Sequence, residues 1–242
     1  MSSIPAFFSR ISARHLRSNL CLSLAAAALF SFTAAAGRAQ FGPSSAPSTQ
    51  VHDATILRPP EGVRVAIIEF ADMECPVCAT SNPLLKDATE KYHLPWLRHD
   101  FPLPYHAWSF NAAVNARWFD SQSKTLGNEY RDQVFANQSS IYSPEVLSQF
   151  TQRFAASHHI ALPFAIDPQG KLAAAVKADY ALGQRVGIEH TPTIWVVTSG
   201  SRGAPYIEVV DRSRLYQIID QAIADTTPTA KSAPAKKPAK AK

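Results

Sequence analysis

Eight residues, VRVAIIEF (63–70), form a nearly continuous β-branched and apolar run, and soon after it the chain reads Cys75-Pro76-Val77-Cys78 and opens into a helical pattern. A strand without polar alternation reads as one buried on both faces, in the middle of a sheet. A tight passage from such a strand into a helix restricts the chain to an α/β layer architecture and sets both cysteines at the start of the helix.

The rest of the chain can be placed around that unit. After the cysteines, Leu84, Leu85 and Ala88 keep helical spacing, with Pro83 expected to kink the helix. PWLRHDFPL (95–103) alternates and predicts a second strand, stopped by Pro102 and Pro104. From His106 to Gly187 there is no strand pattern, only four amphipathic helical stretches, one announced by Ser143-Pro144 as cap and first residue. TIWVVT (193–198) predicts a strand, SGSRG a turn and PYIEVV a partner strand, followed by a closing helix capped by Asp211. This order predicts one sheet interrupted by a helical block at about 104–186, within a folded domain over 53–225.

The ends differ in kind. Residues 1–39 combine Arg10, Arg14 and Arg17 with an apolar run from Leu20 to Ala36 and small residues near Ala39, the pattern of an export signal, either cleaved or kept as an anchor. Residues 40–52 predict a flexible Pro/Ser/Gly linker, and 226–242 a disordered Lys/Ala/Pro tail. The tail's functional reading is attraction to an anionic envelope surface. The net charge of +5 belongs to these ends: four arginines in 1–39 and five lysines in 226–242, none matched by an acid, leave −4 on residues 40–225. No nucleic-acid partner is therefore expected, because that footprint needs basic residues clustered on the domain.

Of three cysteines, Cys21 falls inside the apolar signal, leaving Cys75 and Cys78 for an oxidising compartment. A loop this short is a poor structural staple, which points to chemistry instead. A zinc site would need two further ligands, and neither a second close cysteine pair nor a spaced histidine pair stands near. At a helix N-terminus unpaired amides and the helix dipole favour a thiolate, so Cys75 is the expected nucleophile and Cys78, one turn on, the resolving thiol. Asp72 and Glu74 are expected to oppose that thiolate, and Val77 adds no cation.

The stretch EFADMECPVC (69–78), DFPLPYH (100–106), the helical block and GIEHTPTIWV (187–196) occur in an order that resembles the DsbA-like, thioredoxin-fold bacterial thiol oxidoreductases over residues 53–225. The resemblance implies a thioredoxin-like central sheet with an inserted helical domain, and no bound cofactor beyond a redox-active Cys75–Cys78 disulfide. It implies that Pro192 is a cis-proline against the disulfide, that Thr191 presents its backbone to substrate, and that Glu69 relays a proton to or from Cys78. Pro76, Val77, His190, Thr191 and Pro192 make up the expected substrate-facing set. His190 departs from the glycine common in the family, and its alternative is a solvent-facing loop residue. The implied activity is disulfide exchange with cysteine-containing exported proteins, most simply as a dithiol oxidase recycled by a membrane redox partner. Reductase, isomerase and a non-catalytic binding or chaperone module are the alternatives, with a glutathione-dependent enzyme behind them.

Overall fold

The protein is described by a computed structural model over residues 48–200 and 202–227. The signal of 1–39, most of the linker and the tail beyond Thr227 lie outside the described residues. So does the tail's expected attraction to an anionic surface.

Four strands make one sheet: β1 (Val65–Ala71), β2 (Trp96–Asp100), β3 (Thr193–Thr198) and β4 (Tyr206–Glu208). Their order is β2-β1-β3-β4, with β1 parallel to β2 and antiparallel to β3, and β3 antiparallel to β4. The apolar run is therefore central, as its composition requires. A parallel neighbour needs a crossover, and α1 (Pro76–Tyr92) supplies it, continuing through Pro83 without interruption.

Successive residues of β1 face opposite layers. Val65 and Ile67 pack with Leu85 and Ala88 of α1 and with Leu215 and Ile219 of α6 (Leu215–Thr226). Ala66, Ile68 and Phe70 pack with Trp195, Phe101 and Val186 on the other face. The helical block holds α2 (Ser109–Gln122), α3 (Lys124–Ala136), α4 (Pro144–Ser157) and α5 (Lys171–Val186). Ser143 caps α4, accepting from the Val146 amide, with Pro144 at its first position. Phe119, Tyr130 and Phe154 form the aromatic centre of this block, with ring centroids 4.7–5.2 Å apart, and burial of each stabilises by about 1.5–3 kcal/mol.

The block is not a separate lobe along its whole length. In α5, Val176 belongs to the helical core while Tyr180, Leu182 and Val186 pack on the sheet. Gly183 permits this, because a Cβ there would stand 2.5 Å from the Phe101 ring. The expected insertion of 104–186 thus ends inside the sheet layer.

Three expectations need correction. The linker over 40–52 is docked from Thr49 onward: the Thr49 amide and hydroxyl donate to the Glu208 carboxylate at 2.6 and 2.9 Å, and the His52 amide donates to Val186 O at 2.9 Å. Polar composition hid the apolar Val51, which packs on the sheet. Asp211 caps a 3₁₀ turn (Arg212–Arg214), accepting from Ser213, and α6 starts only at Leu215. The PYIEVV strand is just three residues long, yet its turn has a purpose. Arg202 donates to the carbonyls of Ala224, Asp225 and Thr227, satisfying the open C-terminus of α6.

Candidate active site

Cys75 is the N-cap of α1, with φ −79° and ψ 119°, and Pro76 occupies the first helical position. In that geometry the next two amides are open donors aimed at the cap side chain. The neutral thiol does not use them; it donates to the carbonyl of Thr191 at 3.3 Å. Both thiols are free and buried, Cys75 at 6% exposure and Cys78 at zero. They sit on the edge of the helical core with Met73 and Trp108.

The two sulfurs have opposite acidities. A hydrogen bond from the Cys78 thiol does most to lower the Cys75 pKa; burial opposes it, the Thr191 side chain and the Cys78 and Val77 amides assist, and the result is about 5. The Thr191 hydroxyl is buried and unpartnered beside the neutral thiol, so it is free to turn to a thiolate. Burial pushes the Cys78 thiol well above the ordinary thiol value, and the neighbouring Cys75 and Glu69 add to the rise. A negative charge that forms on this pair settles on Cys75.

Asp72 and Glu74 stand beside Cys75 in the chain. Both carboxylates are occupied elsewhere. Asp72 accepts from the Glu74 amide at 2.7 Å, the Leu103 amide at 2.6 Å and His106 Nδ1 at 2.8 Å. Glu74 accepts from the Trp108 and Ser109 amides at 2.7 and 3.1 Å, capping α2. Adjacency in the chain suggested repulsion, whereas the hydrogen bonds direct both charges to the entry of the helical block.

Glu69 is fully buried on the α1 face of β1. Its Oε2 accepts from Trp96 Nε1 at 3.1 Å and lies 3.9 Å from Arg98 Nε, while Oε1 has no partner. Burial raises its pKa, with Arg98 and Trp96 in opposition. Arg98, opposite Glu69 in the β1–β2 register, lies over the Trp96 ring and donates to Asn82 Oδ1 at 2.6 Å and Asp132 Oδ1 at 3.4 Å. Sequence reasoning missed Arg98. Alternation in β2 separates Arg98 from Leu97 and His99 and does not name its partner.

The remaining expected residues are Thr191 and the chain neighbours of Thr191 and Cys75. Thr191 is brought to the sulfur, and the Thr191–Pro192 peptide is cis. Pro76 and Val77 are exposed on the first turn of α1. The His190 side chain is exposed, its carbonyl accepting from Thr193 Oγ1 at 2.7 Å. Sequence reasoning also missed Gln138, whose Nε2 donates to Met73 O at 2.8 Å and Cys75 O at 3.0 Å. Among the described residues no cluster suited to a metal ion occurs, and no helix is long and apolar enough to cross a membrane.

The family model described as thioredoxin matches residues 61–204. Among solved structures the chain is similar to alpha-DsbA1 of Wolbachia pipientis, at 18% identity over 74% of this chain and 94% of that one, with a TM-score of 0.57. It is also similar to the thiol-disulfide exchange protein alpha-DsbA2 of the same organism, at 15% identity, 68% and 84% coverage and a TM-score of 0.54. A periplasmic thioredoxin-like protein from Salmonella enterica serovar Typhimurium matches at 20% identity, 69% and 88% coverage and a TM-score of 0.53. At these identities the likeness is one of fold. No curated protein matches the chain.

Proposed function

The chain belongs to the thioredoxin family, and from that premise we propose that it is a thiol-disulfide oxidoreductase acting as a dithiol oxidase, with Cys75 as nucleophile and Cys78 as resolving thiol. The observation that carries this reading is the pair of free, buried thiols one helical turn apart at the start of α1, Cys75 as its N-cap donating to the Thr191 carbonyl at 3.3 Å, with the acidity of Cys75 lowered to about 5 and that of Cys78 raised in its support.

In the oxidised enzyme a substrate thiolate attacks Cys75 Sγ of the Cys75–Cys78 disulfide. The S–S bond breaks, Cys78 leaves with the electron pair and takes up a proton, and a mixed disulfide joins Cys75 to substrate. Glu69, buried nearby with its pKa raised, is the candidate to hand over that proton. A second substrate thiolate then attacks the substrate sulfur of the mixed disulfide, and Cys75 departs as thiolate. The substrate loses two electrons to the enzyme pair. A thiol of low pKa is the better leaving group, so the acidity of Cys75 favours this direction. No bound cofactor is required.

Thr191 borders the sulfur from the β3 side, Pro192 and His190 flank Thr191 in the chain, and Val77, Pro76 and His190 are exposed. We assign them to substrate contact. The substrates are cysteine-containing proteins of the exported compartment, and a membrane redox partner reoxidises the pair. The signal-like N-terminus and the periplasmic description of the Salmonella relative support that location.

The test is the reduction potential of the pair, measured by equilibration in glutathione buffers with trapping of free thiols. A value near the roughly −120 mV of a strong oxidant supports the oxidase, and one near the roughly −270 mV of thioredoxin makes it a reductase. Absence of a reversible two-electron transition would leave only a binding or chaperone module.

A further inference from the structure

We propose that Gln138 is a positioning residue for this reaction, its carboxamide fixing the Cys75 carbonyl and thereby the aim of the Val77 and Cys78 amides at the Cys75 sulfur. The inference rests on the reading of Cys75 as nucleophile. Gln138 opens the 3₁₀ turn (Gln138–Ser140) between α3 and α4, so it belongs to the helical block and reaches the catalytic loop from outside it.

One NH₂ group bridges the loop on either side of Glu74, donating to Met73 O at 2.8 Å and to Cys75 O at 3.0 Å. A carboxamide nitrogen has two hydrogens, so both bonds form at once. The Cys75 carbonyl also accepts the first α1 hydrogen bond, from the Ala79 amide at 3.1 Å. A carbonyl oxygen has two lone pairs, and here both are used. The orientation of the peptide plane after Cys75 is therefore held by the helix and by the helical block together.

That plane starts the α1 first turn. Pro76 has no amide hydrogen, so the donors that can serve a thiolate are those of Val77 and Cys78, both of which lower the Cys75 pKa. Their direction relative to Sγ follows the rotation about the Cys75 Cα–C bond, which sets its carbonyl direction. Losing the Gln138 bonds leaves that rotation to the Ala79 bond alone, at a helix end where fraying is ordinary. The same loop is tied from the opposite direction by Glu74, whose carboxylate caps α2. The catalytic loop and the helical block thus exchange hydrogen bonds, and Gln138 is the member that touches the nucleophile's own backbone.

The experiment titrates the Cys75 thiolate by its ultraviolet absorbance in the reduced full chain, using Cys75→Ser as blank. Gln138→Met keeps the length and bulk of the side chain and removes both donors; Gln138→Ala is the second variant. Asp120→Asn, which weakens the paired bonds from Arg131 inside the helical block at 2.9 and 2.8 Å, controls for mere destabilisation. In both Gln138 variants we expect the Cys75 midpoint to rise by about 0.5–1 unit, a roughly three- to tenfold loss of thiolate preference, with no rise in Asp120→Asn. An unchanged midpoint in the Gln138 variants, or an equal rise in Asp120→Asn, overturns the proposal. A midpoint near that of a free thiol in the unsubstituted protein instead overturns the nucleophile reading on which it stands.

Discussion

The carboxylate of Glu74, next to the nucleophile in sequence, accepts the backbone amide of Trp108 at 2.7 Å. A charge that chain proximity sets against the Cys75 thiolate is directed instead to the N-terminus of α2, where the helix dipole favours it. The catalytic loop stabilises the helical block with the same residue that would otherwise hinder its chemistry.

Glu74→Ala should therefore behave as a lost helix cap. The expected cost is about 1–2 kcal/mol of stability, read by urea denaturation of the reduced protein. The Cys75 titration midpoint should stay in place. A clear fall in that midpoint would show that Glu74 repels the thiolate after all.

The reduction potential should depend on pH with a break near 5. Each proton taken up with the electron pair tilts the potential by about 30 mV per pH unit. Below the Cys75 pKa of about 5 both sulfurs are protonated on reduction, and the slope is about 59 mV per unit; above it only Cys78 is, and the slope halves. The same shift makes the reduced protein more stable as pH rises from about 5 towards 9, because the unfolded chain binds the proton that the folded chain has lost. A break nearer 8 or 9 would contradict the assigned acidity.

Glu69 acts on stability with the opposite sign. Its pKa is raised above the ordinary 4.5, so over the interval between the two values the folded state binds the proton and the unfolded state does not. Stability then falls as pH rises through that interval. In reduced protein, the difference between the unfolding free energies of wild type and Glu69→Gln should slope with pH above 4.5. A pH-independent difference would mean that Glu69 keeps an ordinary acidity.

The docked segment before Asp53 should contribute to the fold. Removing residues 1–52 rather than 1–47 deletes the Thr49–Glu208 bonds, the Val51 packing and the His52–Val186 bond. A loss of about 1–3 kcal/mol is expected, each kcal/mol lowering the melting temperature by about 2–4 °C in a domain of this size. Equal melting temperatures would return these residues to the linker.

Legibility in the sequence followed the range of the interaction. Val65 to Ala71, the cysteines at the start of α1, and β3 at Thr193–Thr198 were readable because periodicity and a local motif carry them. The Thr191–Pro192 segment was readable only through resemblance to a family, since nothing local joins it to Cys75. Gln138 and Arg98 were invisible for the same reason: each is an ordinary polar residue whose partner lies on another element. Of Asp72 and Glu74 only the position beside Cys75 was readable, because adjacency says where a charge sits and not which amides it faces. Arg202 lies in a stretch legible only as a turn, although it caps a helix more than twenty residues on.

The central strand is completed late. Ile68 of β1 pairs with Trp195 of β3, more than half the chain's length away, whereas α2 and α3 follow each other directly and pack together through Phe119 and Tyr130. Closing a loop ten times longer costs about 2 kcal/mol more in chain entropy, and a helical block that has already collapsed shortens the effective span. As the chain emerges into the compartment where it folds, β1 can find β2 early but has one bare apolar edge until residue 193 has followed. That interval, rather than the finished protein, is when this chain is most open to aggregation, and when a holding chaperone would matter most.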